Sequence, residues 1–134
     1  MSDIDMTFVE LPSLSVLAAS LERTGCTVLG GDPFSYMEDY DWKDGDPADR
    51  DAVLSALSHA LSRGTTVGFH VSWPKADASL MISPEHRLVS LSPHTGGSLE
   101  VSAFGIPRMG WLWDVLLTSL GSLGVVSMTA QSVP

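Results

Sequence analysis

The patterning of this chain predicts an α+β fold: a mostly antiparallel sheet of about seven strands with three helices packed on it, in a single domain over residues 1–134. Three observations carry that expectation. Two stretches repeat apolar residues at helical spacing, a third is apolar on nearly every side, and the intervening runs switch to a period of two between turn residues. With 134 residues, 44% of them hydrophobic, there is material for one ordinary core, whereas two domains would each be too small.

Residues 7–11 read as a short strand. Leu14, Leu17, Ala18 and Leu21 then recur on one helix face, with Pro12 and Ser13 suited to its start and Gly25 to its end. Residues 26–30 form a second short apolar strand, closed by Gly30-Gly31-Asp32-Pro33. From 32 to 47 the chain is dense in turn formers and charge, which predicts a long structured loop, acidic and aromatic at once.

The second helix has the fullest set of signals. Asp46 is placed to cap it, Pro47 to occupy its first turn, and Asp49 to complete an arrangement resembling a capping box. Val53, Leu54, Leu57, Ala60 and Leu61 make its apolar stripe, and Arg63-Gly64 supplies a cation and a left-handed stop. Val67, Phe69, Val71 and Trp73 then alternate with Thr66, Gly68, His70 and Ser72 until Pro74 ends the strand. Shorter alternating runs at 79–83, 87–92 and 98–104 continue an antiparallel meander, with turns at 84–85 and 93–97. A third helix over 111–123 leads through Gly124 into a last strand over 125–130, with Val126, Met128 and Ala130 on one face.

The formal charge of −9 works against nucleic-acid phosphates and anionic membrane surfaces and favours basic proteins, cationic ligands or metal ions. The single cysteine, Cys26, lies in an apolar run with no second thiol in the chain. It excludes a disulfide framework, suits a reducing cytoplasm, and reads as a buried inert thiol. The first residues are acidic where a secretory leader would be basic, and the apolar stretch at 109–126 is broken by Asp114, hydroxyls and glycines, so no membrane span is expected. Arginine outnumbers lysine among abundant Ala, Gly, Ser and Leu, a composition of GC-rich bacterial genomes.

The charge is concentrated. Asp32, Glu38, Asp39, Asp41, Asp44, Asp46, Asp49 and Asp51 are eight of the sixteen carboxylates, and they face only Lys43 and Arg50, so this stretch alone carries −6. Asp46, Asp49 and Asp51 have a structural explanation at the positive end of a helix dipole. A calcium loop fails on register: with Gly45 at the sixth position, Tyr40 and Trp42 fall where oxygen ligands should stand. A better functional reading is a partner-binding surface made of Tyr36, Glu38, Asp39, Tyr40, Asp41, Trp42 and Asp44. Tyr and Trp bury large areas at little entropic cost, and surrounding carboxylates steer a basic partner. The competing structural reading tucks the rings under the loop and leaves the charges solvated.

Elsewhere the motifs are structural. His59, His70, His86 and His94 have no metal-ligand spacing with one another or with Cys26. No Gly-x-Ser-x-Gly elbow occurs, and residues 94–98 have the glycines of a phosphate loop without its basic residue or its helix. Trp111 and Trp113 stand on opposite sides of the third helix, which suits burial of one indole and either burial or a homodimer contact for the other.

The sequence therefore leads to the expectation of a cytoplasmic protein-binding module, an immunity-type inhibitor that meets a basic toxin or enzyme through its acidic, aromatic segment. No catalytic residue, metal ligand or cofactor is assigned. The alternative is a small-molecule-binding or enzymatic domain with a cavity near His70, to which Arg87 or Glu100 would contribute.

Overall fold

The structure, a computed structural model, describes residues 2–74, 76–94 and 109–132. In chain order the elements are β1 (Ser2–Phe8), α1 (Leu14–Glu22), β2 (Thr27–Val28), β3 (Phe34–Glu38), β4 (Asp41–Gly45), α2 (Arg50–Ser62), β5 (Val67–Trp73), β6 (Ala76–Ser83), β7 (Leu88–Pro93), α3 (Met109–Leu120) and β8 (Val125–Ser132). The fold is α+β, with every described strand pairing antiparallel. The sheet runs β4-β3-β5-β6-β7-β1-β8, and β2 pairs with β5 off this path. The meander is real for β5, β6 and β7. The run expected at 98–104 lies outside the described residues.

All three helices bury apolar residues into one cluster with one side of the sheet. Leu14, Leu17 and Leu21 of α1, Leu57 and Ala60 of α2, and Leu112, Leu116 and Leu120 of α3 join Phe69 and Val71 of β5, Leu80 of β6 and Met6 of β1. The period of β5 dictates this arrangement. Val67, Phe69, Val71 and Trp73 go to the helix side, while His70 and Ser72 go to the other, which we call the open side.

Three expectations are corrected. The first strand covers residues 2–8 rather than 7–11, because Asp3 and Asp5 are the open-side residues of an alternation whose other members, Ile4, Met6 and Phe8, are buried. Their carboxylates accept hydrogen bonds from Ser92 Oγ at 2.7 Å and Ser90 Oγ at 2.6 Å. The acidic segment expected as a loop at 32–47 is mostly a hairpin, with β3 pairing both β4 and β5. Its two strands were obscured because Phe34 and Met37 are buried on opposite sides, and β4 is an edge strand with no buried residue. Asp46 makes no side-chain cap bond, since the chain enters α2 through a tight 3-10 turn over Pro47–Asp49 in which Asp49 N–H donates to the Asp46 carbonyl.

Arg50, counted in the sequence only as a stray cation, ties three elements together. Its Nε donates to the Val28 carbonyl at 3.0 Å and one terminal nitrogen donates to Glu22 Oε1 at 2.9 Å, so the start of α2, the end of α1 and β2 are held by one guanidinium. Arg50→Met, which keeps much of the stem and removes the fork, is expected to lower the urea-unfolding free energy by about 1–2 kcal/mol. Arg50→Lys, a single point charge, is expected to recover less than half of the loss.

Candidate functional site

The β3–β4 hairpin stands at the edge of the sheet and carries all seven residues singled out in the sequence. Its register divides them between two sides. Tyr36 pairs with Lys43 and Phe69, and Glu38 pairs with Asp41 and Val67, so these residues lie on the helix side. Met37 pairs with Trp42 and Gly68, and Ser35 pairs with Asp44, so these lie on the open side. Asp39 and Tyr40 form the two-residue turn at the tip.

The structure consequently brings together only part of the expected set. Trp42 and Asp44 share the open side, and Asp39 and Tyr40 sit beside them at the tip. Tyr40 is 68% exposed and Trp42 47%, while Asp39, Asp41 and Asp44 are all exposed. Tyr36 is different: it is half-buried against the core, with its ring centroid 6.0 Å from that of Phe34. Glu38 is occupied by Arg63 at 3.7 Å, and Asp41 has Lys43 at 3.9 Å, an exposed pair of little energetic weight.

The tip is held in an uncommon conformation. Asp39 and Tyr40 have φ of 52° and 66°, the positive pair of a type I′ hairpin turn, where Asn-Gly is the favoured sequence. Asp39 N–H donates to the Thr66 carbonyl at 2.9 Å, and Tyr40 N–H lies 3.0 Å from the sulfur of Met37. Met37 is buried on the open side, outside the main core. Gly68 makes room for it: a Cβ there would meet the Leu80 carbonyl oxygen at 2.9 Å and the Met37 side chain at 3.2 Å. Gly45 has a comparable reason, because a Cβ would strike the Phe34 ring at 2.5 Å. Ring packing across the pair accounts for this glycine, and the carboxylates of Asp41 and Asp44 diverge to opposite sides of β4. Among the described residues no three His, Cys, Asp or Glu side chains form a metal-binding group.

From Trp42 a row of rings continues across the open side. The indole lies 5.4 Å from the His70 ring, and His70 lies 4.9 Å from His94 in an edge-on contact. His94 Nε2 is 2.9 Å from Ser79 Oγ, and its backbone N–H donates to the Asp77 carbonyl. Beside these rings is a cleft of about 340 Å³ lined by Gly30, Gly31, His70, Ser72, Asp77 and His94. Sequence reasoning saw His70 on the polar side of its strand but not its union with His94, which depends on the β5–β6–β7 register. Arg87 does not join them: its guanidinium donates to the Val9 carbonyl at 2.9 Å and lines a separate groove of about 580 Å³ with Leu11, Leu14 and Leu61. Glu100 lies outside the described residues.

Burial lowers the pKa of His70 below its ordinary 6.5, and His94 lowers it further, against opposing pulls from Asp77 and Asp44. Cys26 is buried, and its thiol is pushed up to about 11, which keeps it protonated and unreactive at neutral pH. Trp111 meets Trp73 edge-on at 5.8 Å, and both Trp111 and Trp113 are partly buried against the core. Comparison with protein-family models, curated proteins and solved structures finds no match to this chain.

Two measurements check this geometry. Replacing the turn by Asn-Gly (Asp39→Asn with Tyr40→Gly) is expected to raise the unfolding free energy by about 0.5–1 kcal/mol, as an L residue leaves the left-handed region. The second concerns His70. Well above 6.5 it is neutral whether the chain is folded or not; as pH falls through 6.5 the unfolded chain takes the proton first, so stability decreases as pH decreases until the folded value is passed. Wild type is therefore expected to lose more stability than His70→Gln between pH 7 and pH 5, read as the difference between their urea midpoints.

Proposed function

We propose that this protein binds a basic protein partner through the β3–β4 hairpin, as an immunity-type inhibitor covers a cationic toxin or enzyme. The observation that carries the reading is the exposure of Tyr40 and Trp42 on a hydrogen-bonded hairpin, surrounded by the exposed carboxylates of Asp39, Asp41 and Asp44. An aromatic ring left in water next to fixed charge is a ready anchor. It gains area on association, while the charge speeds encounter with a positive surface.

The position of the hairpin favours the same reading. Among the described residues β4 is the outermost strand on its side, which leaves the tip and the Trp42 side exposed at the sheet edge. Charged side chains also disfavour unspecific pairing along the bare strand edge. In the proposed mechanism Asp39, Asp41 and Asp44 pair with Lys or Arg side chains around the partner's working surface. Tyr40 fills a pocket at the tip, and Trp42 anchors the open-side flank. Tyr36 and Glu38 support the hairpin from the helix side.

The test begins with capture of the basic partner from a lysate of the source cells, with a neighbouring reading frame as the first candidate. Association rates are then measured for wild type and for the triple variant Asp39→Asn, Asp41→Asn, Asp44→Asn. The variant is expected to keep its unfolding free energy within about 0.5 kcal/mol. At low salt it is expected to associate about tenfold more slowly, with most of the salt dependence gone. An unaltered rate at low salt overturns the reading.

A further inference from the structure

The cleft next to the hairpin has a chemistry of its own. Its floor is polar sheet, its flank is the edge-on pair of His70 and His94, and Trp42 packs on the far side of His70. Two carboxylates act on this spot: Asp77 lines the cleft, and the charge of Asp44, two residues along from Trp42 on the same side of β4, also reaches the His70 ring. Among the described residues the imidazoles carry no side-chain ion pair, and no cation is paired with Asp77 or Asp44.

We propose that this cleft takes a single arginine side chain from the basic partner, the guanidinium lying against the His70–His94 rings and forking toward Asp77. The assignment rests on the hairpin reading for the source of the arginine and extends the contact surface from the tip across the open side. Size argues for one side chain, since about 340 Å³ is at the lower end of what small-molecule sites occupy. Chemistry argues for arginine over lysine. A planar, weakly hydrated cation stacks on ring faces and gives a carboxylate two parallel hydrogen bonds, whereas an ammonium group is a compact, strongly hydrated point charge. Charge complementarity argues against an anionic guest, because Asp77 and Asp44 would repel it.

His70 adds a condition. A neutral imidazole offers a ring and a lone pair to the guest; a protonated one is a like charge beside it. The groups acting on His70 are His94, Asp77 and Asp44, and the balance among burial, His94 and the two carboxylates leaves it neutral at pH 7. Acidification therefore opposes occupancy from within the site.

The experiment is an NMR titration of the full chain with N-acetyl-arginine amide, following the His70 and His94 ring protons and the Trp42 indole N–H. The expected result is a saturable shift of all three with a dissociation constant on the order of millimolar, as suits one isolated side chain. N-acetyl-lysine amide is expected to bind at least threefold more weakly, Asp77→Asn to weaken the arginine probe about fivefold, and a change from pH 7 to pH 5 to weaken it again. Glu85→Gln, exposed in the turn between β6 and β7, is expected to leave the titration unchanged. Absence of a saturable shift, or equal binding to wild type and Asp77→Asn, overturns the assignment. If that happens while the triple hairpin variant still slows partner association, the cleft assignment falls alone. If the probe binds as expected but the triple variant associates normally, the hairpin reading is the one that fails.

Discussion

Among the described residues the helices cover the sheet on one side only, and most of the arrangement follows from that constraint. Three helices bury their stripes in a common cluster, so each strand has to sort its side chains, apolar toward the helices and polar away from them. β5 does this most strictly, and its neighbours inherit the division through register. The hydroxyl and carboxylate pairs between β1 and β7 are the result at one end of the open side, and the ring row from Trp42 to His94 is the result at the other. The division is not complete, since Met81 and Leu88 also lie on the open side, and Met37 is its fully buried exception. It is an apolar residue on the polar side, in space left by Gly68, and it lies opposite Trp42 in the hairpin register.

That hairpin accepts local strain. A tyrosine in the left-handed region costs on the order of 1 kcal/mol relative to glycine, and the chain retains it at the exposed tip of the hairpin. The turn is held by the Thr66 carbonyl and by the β3–β4 ladder, so the exposed ring projects from a defined backbone. A pre-ordered tip loses less freedom when it is covered than a mobile loop would, and this is the physical advantage that the proposed contact surface would gain from strands.

Much of this architecture was legible in the residues because strong periods are hard to mistake. The apolar faces of α1 and α2 and the whole of β5 follow directly from spacing, as do the left-handed glycines at 25 and 64. The hairpin was not legible, for a specific reason: Phe34 and Met37 are buried on opposite sides, which destroys the period of two, and an edge strand such as β4 has no apolar side at all. β1 was half-hidden because Asp3 and Asp5 look like a charged terminus until Ser90 and Ser92 are brought opposite them. The acidic, aromatic character of the site could be read from composition. The separation of Tyr36 from Trp42 could not, because it is decided by pairing across the sheet.

The place of β1 in the strand order has a bearing on how the molecule is made. β1 lies between β7 and β8, with Ser2 opposite Ser132, so a ladder of seven paired positions joins segments that lie far apart in the sequence. During synthesis β5, β6 and β7 can zip as they emerge, and the β3–β4 hairpin can close on its own turn. The first strand must wait for the last to complete its pairing. Long-range closure of this kind is slow, and until it happens the buried residues of β1, Ile4, Met6 and Phe8, have only part of their cover. The nascent protein thus spends its most vulnerable interval with its hairpin edge able to form and its opposite edge unfinished.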